Sequence, residues 1–344
     1  SAGRIFATTS IGIAINENGA HTDAAALVRD ADTAMYRSKS SGRDAITFFD
    51  VKMRQQVERR VALERLMRVA LDRGEIIAYF QPVVTLPAGH VGGFEALARW
   101  PRPGGQILPK EFIPVAEESG LIVALGATIL DQACRQVAEW RRSLPGAADV
   151  YVSVNLSPRQ ILESDIIDTV AHVLQRYELP GEALWLEITE SVMMEDTIET
   201  RAILNALCDL GVSLSVDDFG TGFSSLSYLK KYPISRVKID KSFVDGLDEV
   251  DADQSLVVAI IAMASALNLG TIAEGVERSS QAARLFELGC NDAQGYYFGR
   301  ALPAADVPEL MLTLGFAPNR TITAQPLTGW RIGRSDAADD QWNG

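Results

Sequence analysis

The chain has 344 residues, enough for one large domain or for one large domain and a fragment. Hydrophobic residues make up 47% and charged residues 22%, an ordinary globular composition, and the longest wholly apolar run, Leu256 to Ala264, falls short of the roughly 20 residues a membrane-spanning helix needs. A formal net charge of −13 opposes binding to duplex nucleic acid or to an anionic membrane surface, yet permits a small anion held through metal ions.

The first residues, Ser1-Ala2-Gly3-Arg4, lack the apolar core of a secretory leader. Over residues 1–50, Ser10–Ala14 reads as a strand and Ala24–Ser38 as a helix with Leu27, Ala31, Ala34 and Met35 on one face. So little structure cannot bury a core alone, so this segment is expected to be a small α/β fragment of a larger domain. Residues 51–74 read as a linker helix, with Val57, Val61 and Leu66 at helical spacing and Gly74 as its stop.

From residue 75 to about 315 a regular alternation follows. The expected strands are Ile76–Val84, Gly92–Ala98, Val150–Asn155, Leu184–Ile188, Val212–Asp217, Arg236–Ile239, Gly270–Ala273 and Ala293–Phe298. Helical patterns lie between most of them, at Gly120–Arg142, Asp165–Tyr177, Ile198–Leu210, Ser255–Leu269 and Ser279–Leu288. This rhythm predicts a (β/α)₈ barrel. An open doubly wound sheet is the alternative, but no GxGxxG follows the first strand. Residues 316–344, with several Pro and Gly and a run of aspartates, read as a loosely ordered tail.

Cys134, Cys208 and Cys290 form no CxxC pair and read as small buried hydrophobes of a reducing, cytoplasmic compartment. His21, His90 and His172 have no second His or Cys at ligand spacing, too little for a zinc site or a Ser/His/Asp hydrolase. Carboxylate and lysine chemistry remains.

Active residues of such barrels sit at the C-terminal ends of strands. Those ends carry Asn155, Glu187, Asp217 with Asp218, Lys238 with Asp240, Glu274 and Gln294, while Glu95 lies inside the second strand. Any one of these acids alone reads as a helix cap or turn former. Six consecutive polar strand ends read as a site. So many carboxylates in one cavity repel one another unless divalent cations intervene, and an oxygen-only donor set with the Asn155 carbonyl favours Mg²⁺ or Mn²⁺ over zinc. The adjacent Asp217 and Asp218 could join two ions, which would clamp the entering and leaving oxygens of an in-line phosphoryl displacement, with Lys238 stabilising negative charge. The segment Asp218–Ser225, with two glycines, fits a substrate lid. Glu190 could accept hydrogen bonds from that loop, or serve as a first-turn helix carboxylate.

At these residues the chain resembles the EAL family of cyclic di-GMP phosphodiesterases. The resemblance rests on Glu95-Ala96-Leu97 within Gly93–Trp100, on Tyr79–Pro82, Ser153–Ser157, Leu186–Ser191, Asp217–Leu226, Lys238–Val244, Ala273–Glu277 and Gln294–Tyr296, in order over about residues 75–305. It implies hydrolysis of cyclic di-GMP to linear 5′-pGpG on a modified TIM (β/α)₈ barrel with one antiparallel strand. It also implies two ions, Mg²⁺ or Mn²⁺, with Glu95, Asn155, Glu187 and Asp217 at the first and Asp217 and Asp218 at the second. Glu274 would be general base or second-metal ligand. Lys238, with Asp240 beside it, would orient the attacking water or stabilise charge, and Glu190 would anchor the loop. Glu277 and Gln294 would support the site, and Gln81, Leu97 and Arg99 would contact the dinucleotide, Arg99 through a phosphate. Family members commonly form homodimers, so a homodimer is expected here. No membrane contact is expected of this fragment.

Residues 1–50 resemble the C-terminal part of a GGDEF domain through Ser10–Ala14, Ala31–Tyr36, Lys39 and Gly42-Arg43, without the GGDEF loop itself, so cyclase activity is not expected. A longer parent protein, with any sensor or membrane anchor upstream, is the natural context. Two other readings compete: a catalytically silent cyclic di-GMP receptor, and a barrel lyase of the enolase type that also uses carboxylate-held Mg²⁺ and a lysine.

Overall fold

The computed structural model describes residues 8–16, 23–40, 44–163, 165–194, 197–221, 229–247 and 252–317; His21, Gly42, Arg43 and residues 222–225 of the expected lid lie outside them. The chain divides into two compact units, residues 1–75 with 107–121, and residues 76–106 with 122–344.

In the first unit, β1 (Ile11–Ile13) and β2 (Ile46–Phe48) pair in parallel, joined through the helix Ala24–Ser40. That helix passes so close to β1 that a Cβ on Gly12 would stand 2.0 Å from the Ala31 carbonyl oxygen, so only glycine fits there. The helix Val51–Asp72 starts at Asp50, whose carboxylate accepts from Lys52 N, and Gly74 follows it at φ +67°. The helix Pro109–Ser119, unmarked in the sequence reading and inside its barrel span, belongs to this unit. Its Glu111 and Glu118 pair with Arg59 and Arg60 of the long helix.

The second unit is a closed barrel. Its eight strands are β3 (Ile77–Thr85), β4 (His90–Arg102), β6 (Tyr151–Leu156), β7 (Leu184–Thr189), β8 (Ser213–Phe219), β9 (Arg236–Ile239), β10 (Gly270–Ala273) and β11 (Asp292–Gln294). The short β5 (Gly105–Ile107) and β12 (Leu302–Pro303) flank β4 and β3. From β4 to β11 the neighbours run parallel, and β3 closes the ring antiparallel to both β4 and β11. The last strand is shorter than expected because Gly295 begins a turn, accepting from the Phe298 and Gly299 amides.

Side-chain parity positions the site. One parity of each strand is apolar and buried, as with Phe80, Phe94, Val152, Val154, Leu186, Leu214, Val216, Val237 and Ile239. The other parity carries Gln81, Glu95, Ser153, Asn155, Glu187, Ser215, Asp217, Lys238 and Gln294. The ladder sets these beside one another, pairing Gln81 with Glu95, Glu95 with Ser153, Asn155 with Glu187, and Glu187 with Ser215. The barrel is therefore lined with polar groups while its outer surface supplies the apolar core.

Two expectations need correction. The helix Leu121–Ser143 is long and apolar enough, by length and composition, to cross a membrane, because scattered polar residues hide it from a search for unbroken apolar runs. Half of its apolar window is buried within the fold, with Leu125, Ile129, Ala133, Val137 and Trp140 packed inward, the pattern of a core helix. The expected tail also begins later than residue 316: Phe316 bridges to Val91, and the Ala317 amide donates to the Val91 carbonyl. Residues 318–344 lie outside the described ones.

Candidate active site

A bulge in β8 creates the acidic centre. Its pairing with β9 shifts between Val216 and Phe219, and Asp218 takes the left-handed conformation at φ +52°. An extra residue in one strand re-aims the side chains around it, so consecutive acids that strict alternation would send to opposite faces can serve one site. Carboxylate oxygens of Asp217, Asp218 and Glu274 all lie within 4.8 Å of one another.

Lys238 is the hub. Its ammonium, 1% exposed, lies 2.6 Å from Glu274 Oε1, 2.7 Å from Glu187 Oε2, 3.0 Å from Asp217 Oδ1 and 3.5 Å from Glu95 Oε2. Glu95 also accepts from Asn155 Nδ2 at 2.8 Å and Gln294 Nε2 at 2.6 Å. The contact with Asp217 lacks hydrogen-bond geometry, leaving that oxygen without a donor. Four carboxylates thus face one ammonium, and the excess negative charge in a buried place calls for further cations.

The protonation equilibria follow from this crowding. Burial pushes Glu274 up to about 7, with the Asp217 and Glu95 charges adding to it and Lys238 opposing. Burial also carries Glu187 well above the ordinary carboxylate range despite Lys238. Glu95 goes the other way: burial would raise it, but Lys238 and the Gln294 and Asn155 hydrogen bonds outweigh that and hold it low. Lys238, which burial would lower, is held well above its usual range by Glu187, Glu274, Glu95 and Asp217. Asp218 is raised by burial and then by the Asp217 and Asp240 charges.

The other anticipated residues divide into four groups. Gln81, Leu97, Glu277 and Gln294 line the same cavity of about 290 Å³ as Glu95, Asp217, Lys238 and Glu274. Arg99 does not line it: its guanidinium donates to the Ala98 carbonyl and lies 5.9 Å from the Tyr79 ring centroid. Asp240 caps the helix Lys241–Asp245, accepting from the Ser242 amide at 3.0 Å, while its charge acts on Asp218. Glu190 begins the helix Glu190–Met194 and is 7% exposed, with neither carboxylate oxygen hydrogen-bonded among the described residues. The sequence reading missed Lys241 and Tyr296, both on the cavity wall. Both stand inside motifs already singled out, but a lysine opening a helix and a tyrosine after a glycine carry no local mark of where they face.

The EAL domain family matches residues 64–301. The chain belongs to the EAL domain family. Among relatives of this EAL domain is the bifunctional diguanylate cyclase/cyclic di-GMP phosphodiesterase MucR of Pseudomonas aeruginosa. It is 42% identical over 298 residues, covering 86% of this chain and 43% of MucR. The cyclic di-GMP phosphodiesterase PdeR of Escherichia coli is 39% identical over 302 residues, covering 87% of this chain and 45% of PdeR. The chain therefore spans less than half the length of these relatives. A solved structure of the PaMucR phosphodiesterase in complex with c-di-GMP superposes with a TM-score of 0.68 at 43% identity, covering 72% of this chain and 99% of that one. The EAL domain's fold is thus the TIM-barrel-like architecture of its relatives.

Proposed function

We propose that the chain is a metal-dependent phosphodiesterase that hydrolyses cyclic di-GMP to linear 5′-pGpG. The observation that carries this reading is the convergence of Asp217, Asp218 and Glu274 beside the buried Lys238 at one end of the barrel. The activities named for MucR and PdeR point the same way.

The donor set fits two Mg²⁺ or Mn²⁺ ions: it offers oxygen only, and its carboxylates outnumber the one ammonium among them. Glu95, Asn155, Glu187 and Asp217 would hold the first, and Asp217 and Asp218 the second, with Glu274 within reach. When bound, the ions would neutralise the carboxylates and stabilise charge on the entering and leaving oxygens. Glu274, poised near neutrality, takes the proton of the attacking water. The water oxygen bonds to phosphorus, the P–O3′ bond breaks, and the 3′ oxygen leaves as a hydroxyl by taking a proton from solvent, while Glu274 returns the proton it took to solvent. Lys238 stabilises the negative charge that develops on phosphoryl oxygen, and Asp240 holds the helix that follows it. Gln81, Leu97 and Gln294 shape the wall against the substrate, and Arg99 reaches a phosphate on substrate binding. Glu190, with both oxygens available, anchors the loop that starts at Asp218.

We also read residues 1–50 as the remnant of a GGDEF domain, the functional species as a homodimer, and the compartment as the reducing cytoplasm, where three free cysteines persist. Incubation with cyclic di-GMP and Mg²⁺ or Mn²⁺, followed by chromatography, should yield pGpG that disappears with a chelator and in Glu95→Ala and Glu274→Gln. Tight binding of cyclic di-GMP without product would make the protein a receptor and end the hydrolase reading.

A further inference from the structure

Deeper in the barrel than the acidic centre lies a second level of polar groups that the phosphodiester chemistry does not use. Arg236 donates to the Tyr151 hydroxyl and lies over the Trp185 ring. Between this layer and the carboxylates around Lys238 stand two serines. On β6, Ser153 falls between Tyr151 and Asn155 at the same strand parity. On β8, Ser215 pairs with Arg236 of β9 and precedes Asp217 by two residues. Both serines are almost fully buried, at 3% and 1% exposed.

Three polar atoms at this level have no hydrogen-bond partner among the described residues: Ser153 Oγ, Ser215 Oγ and Arg236 Nε. A buried donor or acceptor left unpaired costs about 1–3 kcal/mol, so three of them at one level call for an occupant. Serine also fills less of a barrel level than the branched side chains that usually pack one, which leaves room. The surroundings decide the occupant's charge. Arg236 is already paired with Asp292, and four carboxylates crowd Lys238 at the next level, so a further anion is repelled. The Arg236 guanidinium repels a cation. A small neutral molecule that both donates and accepts is left, and that is water.

The placement of the serines gives this water a task. The ladder sets Ser153 beside Glu95 and Ser215 beside Glu187, while Asn155 and Asp217 follow the same two serines at the same parity. Each of the four residues assigned to the first cation therefore borders one serine or the other. We propose that Ser153, Ser215 and Arg236 hold ordered water inside the barrel, and that this water positions Glu95, Asn155, Glu187 and Asp217 for a divalent cation. The inference rests on the metal-dependent reading and deepens it. The serines are positioning residues, since they act through their neighbours and the water. Outer partners that fix metal ligands are commonly worth about 10- to 100-fold in affinity.

The test uses the full chain and has two arms. A high-resolution crystal structure without metal should show water within about 2.7–3.2 Å of at least two of Ser153 Oγ, Ser215 Oγ and Arg236 Nε. An empty interior at that level, or a halide there after a bromide soak, would overturn the water site. Calorimetric titration with Mn²⁺ should give a Kd raised about tenfold in the double variant Ser153→Ala, Ser215→Ala, and about threefold in either single variant. Ser213→Ala, on the same strand but beside Trp185 rather than a ligand, should stay within about twofold of wild type. A double variant that loses stability in urea yet binds Mn²⁺ within about twofold of wild type would overturn the positioning role. Wild-type protein that binds Mn²⁺ but yields no pGpG would end the hydrolase reading alone, whereas one that binds no Mn²⁺ would end that reading and the positioning role together.

Discussion

Two cations two residues apart on the same strand, Arg236 and Lys238, are both buried inside the barrel and have opposite surroundings. Arg236 is matched to its partners: it donates to the Tyr151 hydroxyl at 2.9 Å, lies 4.2 Å from the Trp185 ring centroid, and has one acid, Asp292, at 3.7 Å. Burial would lower it, but Tyr151 and Asp292 outweigh that and keep it charged, while burial pushes the Tyr151 phenol up to about 12. The apolar cluster of Val83, Tyr151, Trp185 and Ile272 completes this layer. Lys238 faces four carboxylates instead. A balanced charge in a packed layer is structural; an over-supplied one is a place where cations and chemistry belong.

The sharpest way to break this contrast is to remove each cation in turn. Lys238→Met should cost on the order of 10³-fold in turnover, whereas Arg236→Met, which breaks the buried ion pair with Asp292 and the hydrogen bond to Tyr151, should cost about 3–5 kcal/mol of stability with turnover per folded molecule largely kept. Urea denaturation alongside single-turnover kinetics separates the two, and similar activity losses would dissolve the distinction. Next in size is the cation itself. Saturating Mn²⁺, at about a hundred times its dissociation constant, should stabilise the wild-type protein by about 2.7 kcal/mol. In calorimetry Arg236→Met should keep most of that gain and Asp217→Asn should lose it.

Glu274→Gln offers a finer test. Burial raises the folded carboxyl to about 7 from its ordinary 4.5, so folding works against its ionisation at higher pH. Without metal, the glutamine variant should exceed wild type by about 1–3 kcal/mol at pH 8, and the gap should close as pH falls toward 4.5. A gap that widens on acidification would have the wrong sign. Cation affinity should strengthen as pH rises through 7, by about tenfold per unit for each proton released, because Glu187 as well as Glu274 must give up a proton that burial favours. Titration calorimetry in buffers of different ionisation enthalpy would count the protons. The smallest expected effect is Tyr151→Phe, about 1 kcal/mol of stability from the lost hydrogen bond to Arg236, with cation affinity unchanged.

Much of this was legible in the sequence because a strand's period of two is a local signal. Apolar and polar parities could be read separately, and β9 and β10 were anticipated to the residue. Carboxylates, an asparagine and a lysine at successive strand ends marked the site without any knowledge of their distances. The tertiary structure decided what local patterns cannot carry. The direction of β3 came only through the family resemblance, since alternation looks the same read either way along a strand. The β8 bulge, which sets Asp217 and Asp218 to one task, depends on pairing with β9. Arg236 reads as one more strand residue until Tyr151 and Trp185 close over it. Asp240 and Tyr296 show the same limit: the strand-end acid also proves to cap the helix that follows it, and the tyrosine reaches the cavity wall through backbone bonds to Val276. The Gln294–Glu95 hydrogen bond joins residues 199 positions apart. Periodicity is set by neighbours in the chain, while charge balance and closure are set by neighbours in space.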